Sequence, residues 1–259
     1  MTERLDAAAD REAAVARAVE LLLASEVVAL PTDTVYGVAV HAFDSDATDR
    51  LRAVKERDRT VPFPVLVHSP KQLAGLAAGV PTAAEHLMAA FWPGPLTLVL
   101  HAQARLSWDL GETEVTVSVR MPLEETTLEV IRGVGPLAVT GANAPGLPAP
   151  EDADGVLTQL GDQLAAVLDG GPCPGGGVST IVDLTRARPA VLREGVLPTE
   201  LVLDVAEGRL APLDAAARLL GEEPADAPEA SEPADAPEDD TAAVEISEPP
   251  APEDEQYPG

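Results

Sequence analysis

The segment Val27-Val28-Ala29-Leu30-Pro31-Thr32-Asp33-Thr34-Val35-Tyr36-Gly37-Val38-Ala39-Val40-His41 reads as two short apolar runs split by a polar connection. Val27–Leu30 and Gly37–His41 have the length and β-branched content of strands. Pro31 lacks a backbone N–H, so the first strand ends there and delivers two hydroxyls and a tyrosine to a strand-to-strand connection. Such a connection can present hydrogen-bonding groups to a ligand. The same residues also make a plain hairpin in which Thr32 and Asp33 satisfy their own backbone, the commoner outcome for this composition.

Outward from this hairpin, strand-like and helix-like segments alternate from about residue 10 to residue 221, the pattern of an α/β or mixed α+β layered domain. Further strands are expected at Pro64–His68, Leu96–His101, Val115–Met121, Leu137–Thr140, Leu164–Leu168, Thr180–Leu184 and Val191–Arg193. Helices are expected at Arg11–Ala24, Ser45–Arg57, Lys71–Ala78, Ala83–Phe91, Glu124–Arg132, Asp152–Leu160 and Thr199–Glu207. Thr82 with Glu85 makes a capping box behind Pro81, and Asp214 is placed to cap a short closing helix, Asp214–Leu220.

The 259 residues suffice for one large domain or two small ones, and one cysteine, Cys173, excludes a disulfide scaffold. No long apolar run or basic leader is present, so a soluble cytoplasmic protein is expected. The formal charge is −27, and residues 222–259 hold 14 of the 44 acids, eight prolines and no Lys or Arg. That segment repeats Pro-Ala-Asp-Ala-Pro-Glu at 224–229 and 233–238 and has too little apolar surface to offset the entropy of ordering. It is expected to be a disordered acidic tail behind a single domain, 1–221. The remaining −13 on residues 1–221 argues against tight nucleic-acid binding.

Besides the hairpin connection, four further segments could carry chemistry. Arg50, Arg52, Lys55, Arg57 and Arg59 gather five of the 17 cations within ten residues. On a helix from Ser45, the cations Arg52, Lys55 and Arg59 share a face. A solvated ion-pair surface with Asp49, Glu56 and Asp58 is the ordinary reading; a phosphate site beside the stiff Thr60–Pro64 segment is the functional one. In Val117-Ser118-Val119-Arg120, alternation sets Arg120 opposite the valines, where its guanidinium calls for an internal acid or an anionic ligand. Gly141-Ala142-Asn143-Ala144-Pro145-Gly146 has small residues that let a ligand approach backbone amides, or that simply turn. The Gly-rich 170–177 segment lacks phosphate-loop spacing and reads as a mobile loop or lid. His41, His68, His86 and His101 show no metal-ligand spacing.

Taken in order, PTDTVYG (31–37), KER (55–57), PVLVHS (64–69), FWPGPLTLVL (91–100), VSVRMP (117–122), GANAPG (141–146), STIVDLT (179–185) and VLREG (191–195) resemble the YrdC-type threonylcarbamoyl-AMP synthase family over roughly residues 10–210. The resemblance implies a YrdC-like twisted mixed sheet flanked by helices, with a concave cleft, in the short single-domain form. It implies an enzyme, a nucleotidyltransferase, that makes threonylcarbamoyl-AMP and pyrophosphate from L-threonine, bicarbonate and ATP, with Mg²⁺ carried by the ATP. Downstream tRNA threonylcarbamoyl-transfer proteins would consume the product, and neither a membrane nor tight nucleic-acid binding is expected. By the same resemblance, Lys55 and Arg57 would hold the phosphates as catalytic residues, with Arg59 a weaker candidate. Thr32, His68, Arg120, Thr140 and Ser179 would contact threonine, while Ala142, Asn143 and Arg193 would line the ATP side.

The chain departs from the family pattern at Gly141 and Pro145, where hydroxyls are missing, and at Asp58 and Glu194, where extra carboxylates stand near the expected polyphosphate. Thr140 is expected to supply a hydroxyl in place of the missing serine. Two other readings stay open on sequence: a structured-RNA-binding module of the same fold, and a paralogue with a carbamoyl-adenylate activity.

Overall fold

Burial on both faces explains the uninterrupted apolar run that opens the hairpin. In the computed structural model, which describes residues 1–112, 115–174 and 177–221, Val27 and Ala29 pack into one core layer and Val28 and Leu30 into the other. The expected acidic tail lies outside the described residues.

The strands β1 (Glu3–Asp6), β2 (Val28–Leu30), β3 (Gly37–His41), β4 (Val65–Leu66), β5 (Leu96–His101), β6 (Thr116–Arg120), β7 (Leu137–Gly141), β8 (Ala166–Asp169), β9 (Thr180–Asp183) and β10 (Ala190–Arg193) form one mixed sheet. Its order is β1-β8-β2-β3-β7-β4-β6-β5-β9-β10. The β1/β8, β8/β2, β4/β6 and β5/β9 pairs are parallel and the others antiparallel. Parallel neighbours need crossovers, which the helices supply.

Helices α1 (Arg11–Leu23) and α5 (Glu125–Val134) cover one face, with Ala14, Ala18 and Leu22 of α1 at four-residue spacing against Val130 and Ile131 of α5. Helices α2 (Ser45–Val54), α4 (Thr82–Phe91), α6 (Ala153–Leu160), α7 (Thr199–Ala206) and α8 (Pro212–Leu220) feed the other core through Leu51, Leu87, Val156, Val202 and Ala215. A single turn, α3 (Leu73–Leu76), follows a 3₁₀ turn at Pro70–Gln72, where a longer helix was expected.

Other differences have local causes. Strand β1 was not anticipated because Glu-Arg-Leu-Asp is polar; it holds the sheet edge by backbone pairing with β8 and buries only Leu5. Helix α2 stops at Val54, short of Arg57, because Glu56 takes a left-handed backbone (φ 45°) and the Arg57 N–H returns to the Arg52 carbonyl. Arg59 is therefore not on the helix, and the shared face expected for Arg52, Lys55 and Arg59 does not exist. Thr82 is the first helical residue of α4 rather than its cap, which is Pro81. Asp214 falls in the first turn of α8, since Pro212 is tolerated at the helix start and moves the cap to Ala211.

Candidate functional site

The end of α2 and the end of β7 meet through two cations. Lys55 Nζ donates to the Gly141 carbonyl at 2.8 Å, to the Asn143 carbonyl, and to Asn143 Oδ1 at 3.2 Å. Gly141 permits this: a Cβ there would stand 2.8 Å from Asn143 Oδ1. Arg57 donates from Nη1 to Thr140 Oγ1 at 2.9 Å, and from Nε and Nη2 to the Val61 and Pro62 carbonyls at 2.8 Å. Its guanidinium also lies 5.0 Å over the Phe63 ring. Burial and then the Arg57 charge push Lys55 down to about 8, and burial and then Arg52 lower Arg57. Both cations thus rest on neutral oxygens, and among the described residues no carboxylate pairs with either one. Arg59 is elsewhere: its Nη2 is held by both oxygens of Asp109 at 2.7 and 2.8 Å, on the exposed side.

A second group centres on Arg120, at the end of β6. Its Nε donates to the Gly94 carbonyl at 3.0 Å, its Nη1 donates to Thr34 Oγ1 at 3.0 Å, and its Nη2 lies 2.7 Å from Asp33 Oδ1. Both side chains of this ion pair are buried, at 8% and 7% exposure. The pair is off the ideal hydrogen-bond direction at Nη2, and Asp33 Oδ2 is left without a partner among the described residues. The internal acid that the strand pattern left open is therefore Asp33, which also accepts from the Leu123 N–H at 2.9 Å.

Thr32 closes the turn on itself. Its hydroxyl accepts from the Thr34 and Val35 N–H groups and donates to the Val35 carbonyl at 2.7 Å. Since that donation uses its only proton, Thr34 is the donor in the 2.9 Å contact between the two hydroxyls. The hairpin reading of Thr32 was thus correct, but Asp33 serves Arg120 and Leu123 instead of its own turn.

Arg193 of β10 donates to the Ser179 carbonyl at 2.7 Å and to Ser179 Oγ at 3.1 Å, and Ser179 Oγ lies 2.9 Å from Thr97 Oγ1. Burial and then the nearby charge of Arg120 lower Arg193. His68 follows β4; its N–H is held by Gln72 Oε1 at 2.8 Å, and its Nδ1 is buried without a partner among the described residues. The preceding Val67 N–H bonds the Arg120 carbonyl at 2.9 Å, which fixes His68 beside β6.

The 31–36 connection joins the two groups, because its Thr34 reaches Arg120 while the Tyr36 carbonyl accepts the Ala142 N–H at 2.8 Å. Ala142 is fully buried. The start of the Gly-rich segment, whose Gly175 and Gly176 lie outside the described residues, packs on the same connection: Tyr36 Oη donates to the Gly171 carbonyl at 2.7 Å. Pro31, Thr32 and Asp33 with Gly170–Pro174 line a pocket of about 140 Å³. A larger groove of about 520 Å³ between α1 and α5 is lined by Arg11, Glu12 and Glu129 and contains none of the expected residues.

The two added carboxylates are occupied locally. Asp58 accepts from the Thr60 N–H at 2.8 Å in the turn after α2, and Glu194 accepts from Thr199 at the start of α7. The Thr140 hydroxyl accepts from Arg57. Sequence reasoning missed Thr34, the hub between Thr32 and Arg120; its place two residues after Thr32 in PTDTVYG was the available signal. Among the described residues no group of three or more His, Cys, Asp or Glu could hold a metal ion, and no helix is long and apolar enough to cross a membrane.

The family model Sua5/YciO/YrdC, described as telomere recombination, matches residues 20–195. A Mycobacterium tuberculosis protein named "Putative threonylcarbamoyl-AMP synthase" is 45% identical over 207 residues, which are 79% of this chain and 95% of that one. Among solved structures, Pyrococcus abyssi Sua5 complexed with L-threonine is similar with a TM-score of 0.74 at 35% identity, over 79% of this chain and 60% of that one. Escherichia coli YciO shares the fold at a TM-score of 0.69 and 23% identity, over 77% and 98%. The chain thus spans about three fifths of the archaeal protein's length.

Proposed function

Because the chain belongs to the Sua5/YciO/YrdC family, we propose that it is a threonylcarbamoyl-AMP synthase, which joins L-threonine, bicarbonate and ATP into threonylcarbamoyl-AMP with release of pyrophosphate and water. The observation that carries this reading is the pair Lys55 and Arg57, two half-buried cations seated on carbonyls and a hydroxyl with no ion-pair partner among the described residues. Such a pair is built for an anion that arrives from outside. The naming of the relatives and the threonine in the archaeal structure support the amino-acid substrate.

The chemistry asks for positioning more than for covalent catalysis. Threonine's amine must lose its proton to take up bicarbonate carbon as a carbamate, and a carbamate oxygen must then attack the α-phosphorus as pyrophosphate leaves. Two anions approach each other, so the barrier falls when fixed cations are already in place. Lys55 and Arg57 would take the phosphates, with Asn143, which touches Lys55, beside them. Thr32, Ser179 and His68 border the Arg120 side, where the amino acid would sit. Arg120 itself is committed to Gly94, Thr34 and Asp33, so it acts as a positioning residue that holds the 31–36 connection. The Gly170–Pro174 segment lines a pocket together with Thr32 and would keep water from the labile carbamate and adenylate. The described residues offer no acidic cluster for magnesium; the ion would come on the triphosphate's own oxygens, and no step here depends on it. The product would pass to the proteins that transfer the threonylcarbamoyl group to tRNA.

Lys55→Gln and Arg57→Gln test the assignment: each should lose threonine-dependent pyrophosphate release while keeping the native melting temperature. Wild-type release in both variants would overturn it.

A further inference from the structure

The most exceptional side chain outside the assigned groups is Arg52, one turn before Lys55 on α2. It is only 11% exposed, yet none of its three guanidinium nitrogens has a hydrogen-bond partner among the described residues. Its nearest acid, Asp109, stands 4.0 Å away with both oxygens already taken by Arg59. The Arg52 guanidinium lies 5.0 Å over the buried Phe63 ring, the same ring that carries Arg57 at 5.0 Å.

Buried guanidiniums are ordinarily paired, because five unsatisfied donors and a desolvated charge are costly, and a second cation on the same ring adds repulsion. The aromatic face offsets part of this. A missing anion would offset the rest, and Arg57 marks where it would lie, since Arg57 reaches the Thr140 end of β7 beside Lys55. Resting on the proposed synthase reading, we infer that Arg52 is a third phosphate-binding residue, which engages the distal phosphates of the nucleotide, those that leave as pyrophosphate. No hydrogen bond fixes its side chain, so turning the guanidinium toward the phosphates breaks none. Its planar fork suits two phosphate oxygens at once, as an ammonium does not.

The test compares the full-length wild type with Arg52→Met and Arg52→Lys, using inorganic pyrophosphate and AMP as separate probes in calorimetry, alongside steady-state kinetics. Losing a charge-assisted phosphate contact should weaken pyrophosphate binding and raise KM for ATP by on the order of tenfold to a hundredfold in Arg52→Met. AMP binding and KM for threonine should stay near wild type. Arg52→Lys should recover part of the loss, and the ligand-free melting temperature of Arg52→Met should hold or rise, because a buried guanidinium without a hydrogen-bond partner has gone. Unchanged pyrophosphate binding in Arg52→Met would overturn the inference and leave the synthase reading standing. So would equal loss of AMP and pyrophosphate binding with a lowered melting temperature, the mark of a packing role. A wild type that bound neither probe would overturn both.

Discussion

Cutting the buried pair of Arg120 and Asp33 should damage the fold before it touches the chemistry. Arg120→Met leaves the Asp33 carboxylate, at 7% exposure, with only the Leu123 N–H, and it frees the acceptors at Gly94 and Thr34. Asp33→Asn leaves a guanidinium at 8% exposure with its charge uncompensated. Removing one partner of a buried ion pair costs ~3–5 kcal/mol, whereas removing both charges together is often nearly neutral. The double variant Arg120→Met/Asp33→Asn should therefore lie well above the sum of the singles, with a coupling of about 2 kcal/mol or more. Urea titration reads this directly, since ~1–3 kcal/mol per M of denaturant turns each single loss into a midpoint lower by roughly 1–5 M. Additive effects, or single losses under about 1 kcal/mol, would refute the reasoning, and would return Arg120 to the role of a free guanidinium awaiting the substrate carboxylate.

Three further outcomes follow from the same geometry. Lys55 sits at about 8 in the free protein and an anion bound against it favours its charged form; pyrophosphate affinity should thus be highest below pH 8 and fall as pH rises above it, by at most about tenfold per unit. The same depression means the folded chain binds fewer protons than the unfolded one between 8 and the ordinary 10.5, so the contribution of Lys55 to ligand-free stability should increase with pH across that window; a flat affinity profile in calorimetry would remove Lys55 from the phosphate site. Glu194→Ala should lower the melting temperature slightly through lost contacts with Thr199 at the start of α7, and leave KM for ATP unchanged, whereas a fall in that KM would show the carboxylate facing the phosphates. Truncation after Gly221 removes the acidic segment and should alter neither melting temperature nor turnover, as its composition argues; a large drop in either would show that the segment supports the domain.

Much of the architecture was legible because it is written in local pattern. Pro31 and Gly37 bracket the hairpin connection, and β3 and β5 fall at Gly37–His41 and Leu96–His101 as the apolar runs prescribe. Polar β1 was invisible, since an edge strand that buries one side chain depends on its neighbour rather than on its own sequence. At the site, the Lys55–Arg57 spacing was readable, but Arg59 was misplaced because helical periodicity was carried past the left-handed Glu56. That Arg120 wanted a partner followed from strand alternation; that the partner is Asp33, on a distant connection, is a tertiary fact that alternation cannot encode. That the Arg52 guanidinium makes no hydrogen bond was equally out of reach, because Asp49, Glu56 and Asp58 allowed a solvated ion-pair face for the whole cluster.

The direct measurement is pyrophosphate release by the full-length protein from ATP and bicarbonate, with and without L-threonine, with the nucleotide product followed by mass. Release that requires both threonine and bicarbonate and yields threonylcarbamoyl-AMP in equal amount is the predicted result. Release indifferent to threonine, or none at all from folded protein with every substrate present, would contradict it.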